Sequence, residues 1–413
     1  MRSRYTPLLI GALAVTACSD STSPPATTQL APMATASVSQ TEEAVPNEYI
    51  VALRPGANVR AEASRARAAG AVVMDTWEAG FRGFSVRVSG AALNAVRASR
   101  AIDFVQPNYI LHIDAAQPCA PYTTCSWGLD RIDEANLPLD GSYNMPAQVP
   151  NQGAGVHAYS IDTGIRITHT DFGGRASYGI NAVTPANPPD DNNGHGTHTS
   201  GTIGGTSYGV AKQVKLVAVK VCTGFGTCPT NAIITGVNWV TTNAIHPAVA
   251  NMSLGGGANA AIDAAVTSSI ASGVVYAIAA GNSNANACNT SPARVPSAIT
   301  VGATGDGAGV PPASIDRRAN YSNYGACLDI FAPGTNIKSA WNSNNTATNT
   351  ISGTSMATPH VAGAAALYLD KFPGKTPAQV VAAMVANATA GVVVNPGAGS
   401  PNLLLNVSKP PRP

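Results

Sequence analysis

Short apolar strands alternate with helices rich in small residues from residue 127 onward, and this alternation constrains the fold most strongly. The strands are predicted at Val156–Ile161, Leu216–Val221, Val249–Ser253, Val274–Ala280, Ala298–Ala303 and Leu328–Phe331. Helices are predicted directly after His195 and at Thr230–Ile245, Asn259–Ser272, Thr354–Leu369 and Pro377–Ala386. Continuous apolar strands between helices predict an α/β fold, with a parallel β-sheet covered by helices on both faces. Sites in such sheets lie at the carboxyl ends of the strands.

A small α+β domain is predicted before this region, at residues 45–115. Its strands are predicted at Tyr49–Leu53, at Gly83–Val88, where apolar and polar residues alternate, and from Ile102. Helices are predicted at Ala57–Ala69 and Ala91–Arg100.

The N-terminus has the features of an export signal. Arg2 and Arg4 precede an apolar stretch, Leu8–Val15, that is far shorter than the roughly 20 residues of a membrane span. The ending Val-Thr-Ala-Cys resembles a bacterial lipobox, which predicts a signal peptide at residues 1–18 and lipidation of Cys18. An ordinary secretory signal with a chance cysteine is the alternative. Residues 19–44, rich in Ser, Thr and Pro, are expected to form a flexible tether.

The composition favours a large, tightly packed globular protein. Charged residues make up 11% of the chain, and 40 glycines allow close packing of helices and strands. A formal net charge of +2 without a Lys/Arg cluster argues against a nucleic-acid partner. We expect a monomer that contacts a membrane only through a lipid on the precursor.

Six cysteines follow Cys18, and an even number in an exported chain indicates disulfides. They are Cys119, Cys125, Cys222, Cys228, Cys288 and Cys327. Local bridges are plausible between the first two and between the next two. None of the six has the spacing of a zinc site.

Three polar residues stand where nucleophilic catalysis would need them. Asp162 follows a predicted strand, His195 begins a helix of small residues, and Ser355 lies in the first turn of the helix after Gly353. Free N–H groups at a helix start favour developing negative charge. Serine needs a base and a group that orients the base, so Asp162, His195 and Ser355 predict an Asp-His-Ser triad.

Simpler interpretations exist for each of these residues. Alone, Asp162 could be a turn residue, His195 a loop residue and Ser355 a helix N-cap. His195 and His198 could form a metal pair, although no His-Glu-x-x-His motif is present. The segment Gly205–Gly209 matches a G-x-S-x-G nucleophile elbow, but it follows a helix and precedes a strand, so we interpret it as a turn.

The sequence resembles the subtilisin-like serine peptidases at three signatures. These are Ile161-Asp162-Thr163-Gly164, His195-Gly196-Thr197-His198 and Gly353-Thr354-Ser355-Met356-Ala357-Thr358-Pro359-His360. Trp127-Gly128-Leu129-Asp130-Arg131-Ile132 and Ser322-Asn323-Tyr324-Gly325 resemble the proteinase K and aqualysin branch. The order Asp, His, Ser is also that of subtilisin.

The resemblance implies further site residues. Asn282 matches the asparagine of the family's oxyanion hole. The segments Ser253-Leu254-Gly255-Gly256 and Ala279-Ala280-Gly281 match the two sides of its substrate cleft. A structural calcium ion would be bound by the carbonyls of Pro296 and Ala298 and by Asp329. Cys288 with Cys327 matches an aqualysin bridge. Relatives that bridge the segment before the catalytic His have a cysteine at the position of Asn192, so Cys222 lacks that partner here and Cys228 offers a local substitute.

We therefore expect a secreted serine endopeptidase of broad specificity that acts on polypeptide substrates. The family implies that residues 45–115 form an inhibitory propeptide that aids folding, that residues 116–413 form the peptidase domain, and that self-cleavage occurs near Ala115 to Gln117. An esterase with the same triad, or an inactive subtilisin-like protein that binds peptides, is the alternative.

Overall fold

The computed structural model describes residues 43–113, 126–144, 149–305 and 315–408. These residues all fall within one compact unit, Ser39–Pro413. In chain order, the elements are β1 Glu43–Leu53, α1 Val59–Ala68, β2 Val72–Trp77, β3 Gly83–Arg87, α2 Gly90–Arg97, β4 Ile102–His112, α3 Trp127–Ile132, β5 His157–Asp162, β6 Ala176–Asn181, α4 His195–Gly204, β7 Lys215–Lys220, β8 Thr227–Pro229, α5 Thr230–Asn243, β9 Ala248–Met252, α6 Ala260–Ala271, β10 Val275–Ala279, β11 Ile299–Gly305, β12 Arg317–Arg318, β13 Ile330–Pro333, β14 Ile337–Ala340, β15 Thr348–Ile351, α7 Thr354–Lys371, α8 Pro377–Asn387, β16 Thr389–Ala390 and β17 Leu403–Leu404.

The N-terminal region, residues 43–113, is an antiparallel sheet packed against α1 and α2. Val51, Phe84 and Val86 of the sheet are buried in one apolar cluster with Ala63 and Ala66 of α1. The order of the strands is β2-β3-β1-β4, and β8 of the later region extends this sheet next to β4. β1 begins at Glu43, so the strand starts inside the segment that the sequence assigned to the tether.

The larger sheet has the strand order β16-β17-β13-β11-β10-β9-β5-β7-β6. Its strands from β17 to β6 are parallel, and β16 and β12 add antiparallel pairs at or near one edge. Helices α4, α7 and α8 pack on one face, and α5 and α6 cover the other. The predicted α/β fold with helices on both faces is confirmed.

The apolar strands and the helices between them lie where the sequence predicted them, with ends that differ by a few residues. The largest shift is in the last apolar strand, predicted at Leu328–Phe331 and found at Ile330–Pro333. The pattern missed β2 and several strands of two to six residues, among them β8. Among the described residues, no helix has the length and apolar character that crossing a membrane requires.

Candidate active site

Asp162 is the last residue of β5 and lies between the neighbouring strands β7 and β9 at the centre of the sheet. Its side chain is fully buried. Oδ1 accepts the N–H of Thr163 at 2.7 Å and lies 2.8 Å from Nδ1 of His195, and Oδ2 accepts the Thr199 hydroxyl at 3.3 Å. A buried carboxylate needs such partners, and together they fix the orientation of the Asp162 side chain.

His195 is the first residue of α4, and its side chain is also fully buried. A Cβ atom at Gly196 would lie 2.2 Å from the carbonyl oxygen of Gly164, so only glycine allows the helix to start this close to the Asp162 loop. Because Nδ1–H donates to Asp162, the neutral ring has Nε2 as its acceptor atom. That is the form a general base requires.

Ser355 is the second residue of α7 and is buried. Its Oγ donates to the carbonyl of Ser253 at 3.0 Å, and the Ser253 hydroxyl donates back to the carbonyl of Ser355 at 2.9 Å. Pro359 has no N–H for that carbonyl, the usual i→i−4 partner, so the Ser253 hydroxyl takes its place. Helix α7 packs against α4, which brings the elements of Ser355 and His195 together.

Asn282 follows β10 and is held by the residue before the serine. Its Oδ1 accepts both the N–H of Thr354 at 2.8 Å and the Thr354 hydroxyl at 2.9 Å. The amide donor Nδ2 therefore faces away from Thr354. Asn323 fixes the same loop, because its side chain accepts the N–H groups of Ser283 and Ala285 and donates to the carbonyl of Ala280. Asn323 was identified from the sequence only as part of the Ser322–Gly325 motif, and this role was not predicted.

Of the two predicted cleft segments, Ser253–Gly256 contacts a strand of the chain's own N-terminal region. His112, at the end of β4, exchanges two main-chain hydrogen bonds of 3.4 Å with Gly255. Leu111 is buried, and a Cβ atom at Gly256 would lie 2.7 Å from its Cγ. The other segment, Ala279–Gly281, ends β10 and is bonded to Asn323.

The predicted calcium ligands lie around the start of β11. The Asp329 carboxylate accepts the N–H of Thr300 at 2.8 Å, and Ala298 is buried just before the strand, whereas Pro296 is exposed. Burial raises the pKa of Asp329 to about 6. A half-buried carboxyl with a raised pKa is a suitable ligand for a cation, which would stabilise its charged form.

A second candidate cation site was missed from the sequence. One carboxylate oxygen from each of Asp130, Glu134 and Asp140 lies within 4.8 Å of the others. Burial, and then the charge of Glu134, raise the pKa of Asp130 to about 6. Three hard oxygen donors whose charges repel each other fit Ca²⁺. The signal was present in the Trp127–Ile132 motif and the acidic residues after it.

The structure links Cys222 to Cys228 and Cys288 to Cys327. Cys18, Cys119, Cys125 and the predicted cleavage segment Ala115–Gln117 lie outside the described residues.

Asp191, which the sequence reading did not single out, joins the Asp162 loop to the start of α4. Its carboxylate accepts the hydroxyl of Thr163 at 2.9 Å and the N–H of Gly194 at 2.8 Å, and it accepts both the N–H and the hydroxyl of Thr197. Thr163 also accepts the N–H of Gly196. This network fixes the Asp162 and His195 segments relative to each other. The sequence shows only an aspartate four residues before His195, and its burial is visible only in the fold.

The competing sequence interpretations do not match the geometry. His198 Nε2–H donates to the carbonyl of Ile337 at 3.0 Å, while His195 faces Asp162, so the two rings have different partners. Burial lowers the pKa of His198 to about 3. The segment Gly205–Gly209 lies between α4 and β7, which is the wrong order for a nucleophile elbow.

Comparisons with a family model, with related sequences and with a solved structure all indicate the same family. Residues 153–403 match the model of the subtilase family, Peptidase S8. The chain is 47% identical over 420 residues to the extracellular serine proteinase of Thermus sp. (strain Rt41A), covering 96% of this chain and 97% of that protein. It is 48% identical over 324 residues to the alkaline serine exoprotease A of Vibrio alginolyticus, covering 78% of this chain and 58% of that one. A crystal structure of a cold adapted subtilisin-like serine proteinase matches with a TM-score of 0.63 and 51% identity, over 69% of this chain and 99% of the other. The chain therefore belongs to the subtilase family and is a subtilisin-like serine endopeptidase.

Proposed function

We propose that the protein is a secreted endopeptidase of broad specificity, made as a self-processing precursor, with Asp162, His195 and Ser355 as its triad. The observation that supports this most strongly is the strand already lying in the cleft. β4 pairs antiparallel with β8, His112 pairs with Gly255, and the N–H of Ile113 donates to the carbonyl of Gly226 at 3.1 Å. A cleft that holds an extended peptide between β8 and the Ser253–Gly256 segment suits a peptidase better than an esterase for small substrates.

The three residues would act in the following sequence, in which Ser355 Oγ first exchanges its hydrogen bond to the Ser253 carbonyl for one to Nε2 of His195. Nε2 of His195 takes the proton of Ser355 as Oγ attacks the carbonyl carbon of the scissile bond, and later gives that proton to the leaving amine. Asp162 holds the ring by its 2.8 Å contact with Nδ1 and stabilises the imidazolium that forms. The N–H of Thr163 and the hydroxyl of Thr199 keep the carboxylate of Asp162 in place.

Two donors are positioned to stabilise the oxyanion. The backbone N–H of Ser355 belongs to the first turn of α7, where N–H groups have no partner within the helix. Nδ2 of Asn282 is the second donor, because the Oδ1 atom of the same amide already accepts two hydrogen bonds from Thr354. An asparagine donor in such a hole contributes about 10²- to 10³-fold to kcat.

The N-terminal domain is suited to inhibit the enzyme and to aid its folding. Asn108 Oδ1 accepts the N–H of Asn231 at the start of α5, and Gln106 Oε1 accepts the N–H of Ala261 at the start of α6. Trp77 Nε1 donates to the hydroxyl of Thr235 in α5. The domain thus supplies acceptors for helix N-termini that would otherwise need solvent, while β4 fills the substrate cleft.

The strand pairing also predicts where the precursor is cut. A peptide that continued the antiparallel register after the His112–Gly255 pair would reach Ser253 two residues later, at residue 114. Ser355 Oγ is bonded to the carbonyl of Ser253. We therefore expect cleavage between Asp114 and Ala115, at the start of the segment predicted from the sequence.

Broad specificity follows from how the cleft binds a peptide. His112 and Ile113 are bound by main-chain atoms of Gly255 and Gly226, which are the same for any sequence. Side-chain preference would come from pockets such as the buried site of Leu111. Calcium, when bound, would stabilise the fold at the Asp130 cluster and near Asp329, without taking part in the chemistry.

Activity assays on the purified protein test this proposal. We expect cleavage of casein and of a simple ester, with both activities abolished by a serine-directed inhibitor. N-terminal sequencing of the mature enzyme should begin at Ala115. Ester cleavage without casein cleavage would favour the esterase alternative. If the serine-directed inhibitor left both activities unchanged, a serine mechanism would be excluded.

A further inference from the structure

The disulfide between Cys222 and Cys228 closes a short loop at the edge of the cleft. Both cysteines are fully buried, and hydrogen bonds within the loop between them hold it together. The N–H of Thr223 donates to the carbonyl of Thr227 at 2.8 Å, and the two threonine hydroxyls are bonded at 2.7 Å. The N–H of Gly226 donates to the carbonyl of Thr223 at 3.1 Å. The loop is therefore one rigid unit.

One end of this loop is attached to the catalytic aspartate. The N–H of Cys222 donates to the main-chain carbonyl of Asp162 at 3.1 Å, and Val221 donates to the same carbonyl at 2.9 Å. Cys222 is therefore anchored to the strand end that presents the Asp162 carboxylate, and Val221 holds that strand end independently of the disulfide.

The middle of the loop is attached to the catalytic histidine through a single side chain. Asn193 Nδ2 donates to the carbonyl of Gly224 at 3.0 Å, while Asn193 Oδ1 accepts the N–H of His195 at 3.1 Å. Asn192, beside it, accepts a hydrogen bond from the buried Lys220 ammonium at 2.8 Å. The segment before His195 is thus held to the loop through Asn193 and to the end of β7 through Asn192.

The other end of the loop is the strand that pairs with the peptide in the cleft. Cys228 lies in β8 opposite Leu111, and the carbonyl of Gly226 accepts the N–H of Ile113 at 3.1 Å. β8 has three residues and lies at the end of its sheet. An edge strand this short has little stability of its own.

We propose that the Cys222–Cys228 disulfide is a positioning device that fixes β8 for pairing with extended substrates, with the segments of Asp162 and His195 as the fixed anchors of its loop. This inference rests on the proposed peptidase function. It assigns the disulfide an effect on substrate binding beyond its effect on folding. Substrates that reach β8 depend on it, whereas substrates that occupy only the position next to Ser355 do not.

The test compares two substrates in the mature wild-type enzyme and in the double variant Cys222→Ala/Cys228→Ala. For a tetrapeptide p-nitroanilide, we expect KM to rise about tenfold, as for one or two weakened main-chain hydrogen bonds, while kcat changes less than twofold. For an N-acetyl amino-acid ester, both constants should stay within twofold. The matched control, Cys288→Ala/Cys327→Ala, should leave the KM of both substrates unchanged.

Thr223→Ala provides a second variant if the double variant does not mature. It keeps the disulfide but removes the hydroxyl that bonds Thr227 and accepts the N–H of Phe225. We expect a rise of about threefold in the tetrapeptide KM alone. An unchanged tetrapeptide KM, or equal losses for both substrates, would overturn the inference. A wild-type enzyme that cleaves neither substrate would instead refute the proposed function.

Discussion

Acid should destabilise this protein through a buried histidine in the serine-bearing helix. His360 lies in α7, is fully buried, and donates from Nδ1 to the carbonyl of Met356 at 2.9 Å. Burial lowers its pKa to about 4, whereas the pKa of a histidine in the unfolded chain is about 6.5. The unfolded state therefore takes up the proton first, so stability is complete above about pH 6.5 and is lost as the pH falls toward about 4. At pH 5, linkage gives a loss of about 2 kcal/mol for this residue alone.

The measurement is the free energy of unfolding in urea at pH 8 and pH 5, on precursor that carries Ser355→Ala so that it cannot digest itself. Adding His360→Gln should reduce the acid loss by about 2 kcal/mol, because glutamine does not titrate. Comparing the proteins with and without His360→Gln removes the contribution of all other groups, because those groups titrate in both proteins. His246→Gln, at an exposed histidine, is the matched control and should leave the loss unchanged. If the His360→Gln protein loses as much stability as its parent, the linkage argument is wrong.

Other predictions concern the oxyanion donor, the metal, the bridges and the lipid. Asn282→Ala should lower kcat by about 10²- to 10³-fold with little change in KM, and a loss below threefold would remove Asn282 from the oxyanion site. Chelating calcium at neutral pH should lower Tm by several degrees, since an ion bound at 100 times its Kd contributes about 2.7 kcal/mol. Asp130→Asn and Asp329→Ala should each lose part of that response, and a full response in both would place the ion elsewhere. Peptide mapping without reductant should recover Cys222–Cys228 and Cys288–Cys327, and we also expect Cys119–Cys125; other pairings would contradict the disulfide scheme. Lipidation of Cys18 stays a prediction: labelled fatty acid should enter the precursor or the released propeptide but not the mature enzyme, and Cys18→Ala should abolish the label. An unlabelled wild-type precursor would indicate an ordinary secretory signal.

The sequence predicted the central part of the fold because its strands are buried on both faces. Val156–Ile161 and Leu216–Val221 are continuous apolar runs, and such runs are recognisable without knowledge of the partners. The strand β8 was missed because its three residues, Thr227–Pro229, carry no pattern and form a strand only by pairing with β4. The shift in the strand predicted at Leu328–Phe331 has a similar cause, since pairing with β11 sets its ends.

In the candidate site, too, some residues could be predicted from the sequence and others could not. Asp162, His195 and Ser355 stand in recognisable signatures, so the sequence alone was enough to predict them as the triad. Residues that hold them in place could not, because their roles depend on contacts between distant segments. Asp191 was missed because a single aspartate in a loop resembles any other surface carboxylate, and its five donors are apparent only in the fold.

The precursor with Ser355→Ala tests the central claim most directly. The protein should stay at full precursor length in mass spectrometry and leave casein intact, while wild-type protein should lose its propeptide and digest casein. Ser352→Ala, which removes a hydroxyl three residues earlier, should mature like wild type. If the Ser355→Ala protein matures without added protease, Ser355 is not the nucleophile and the proposed triad is wrong.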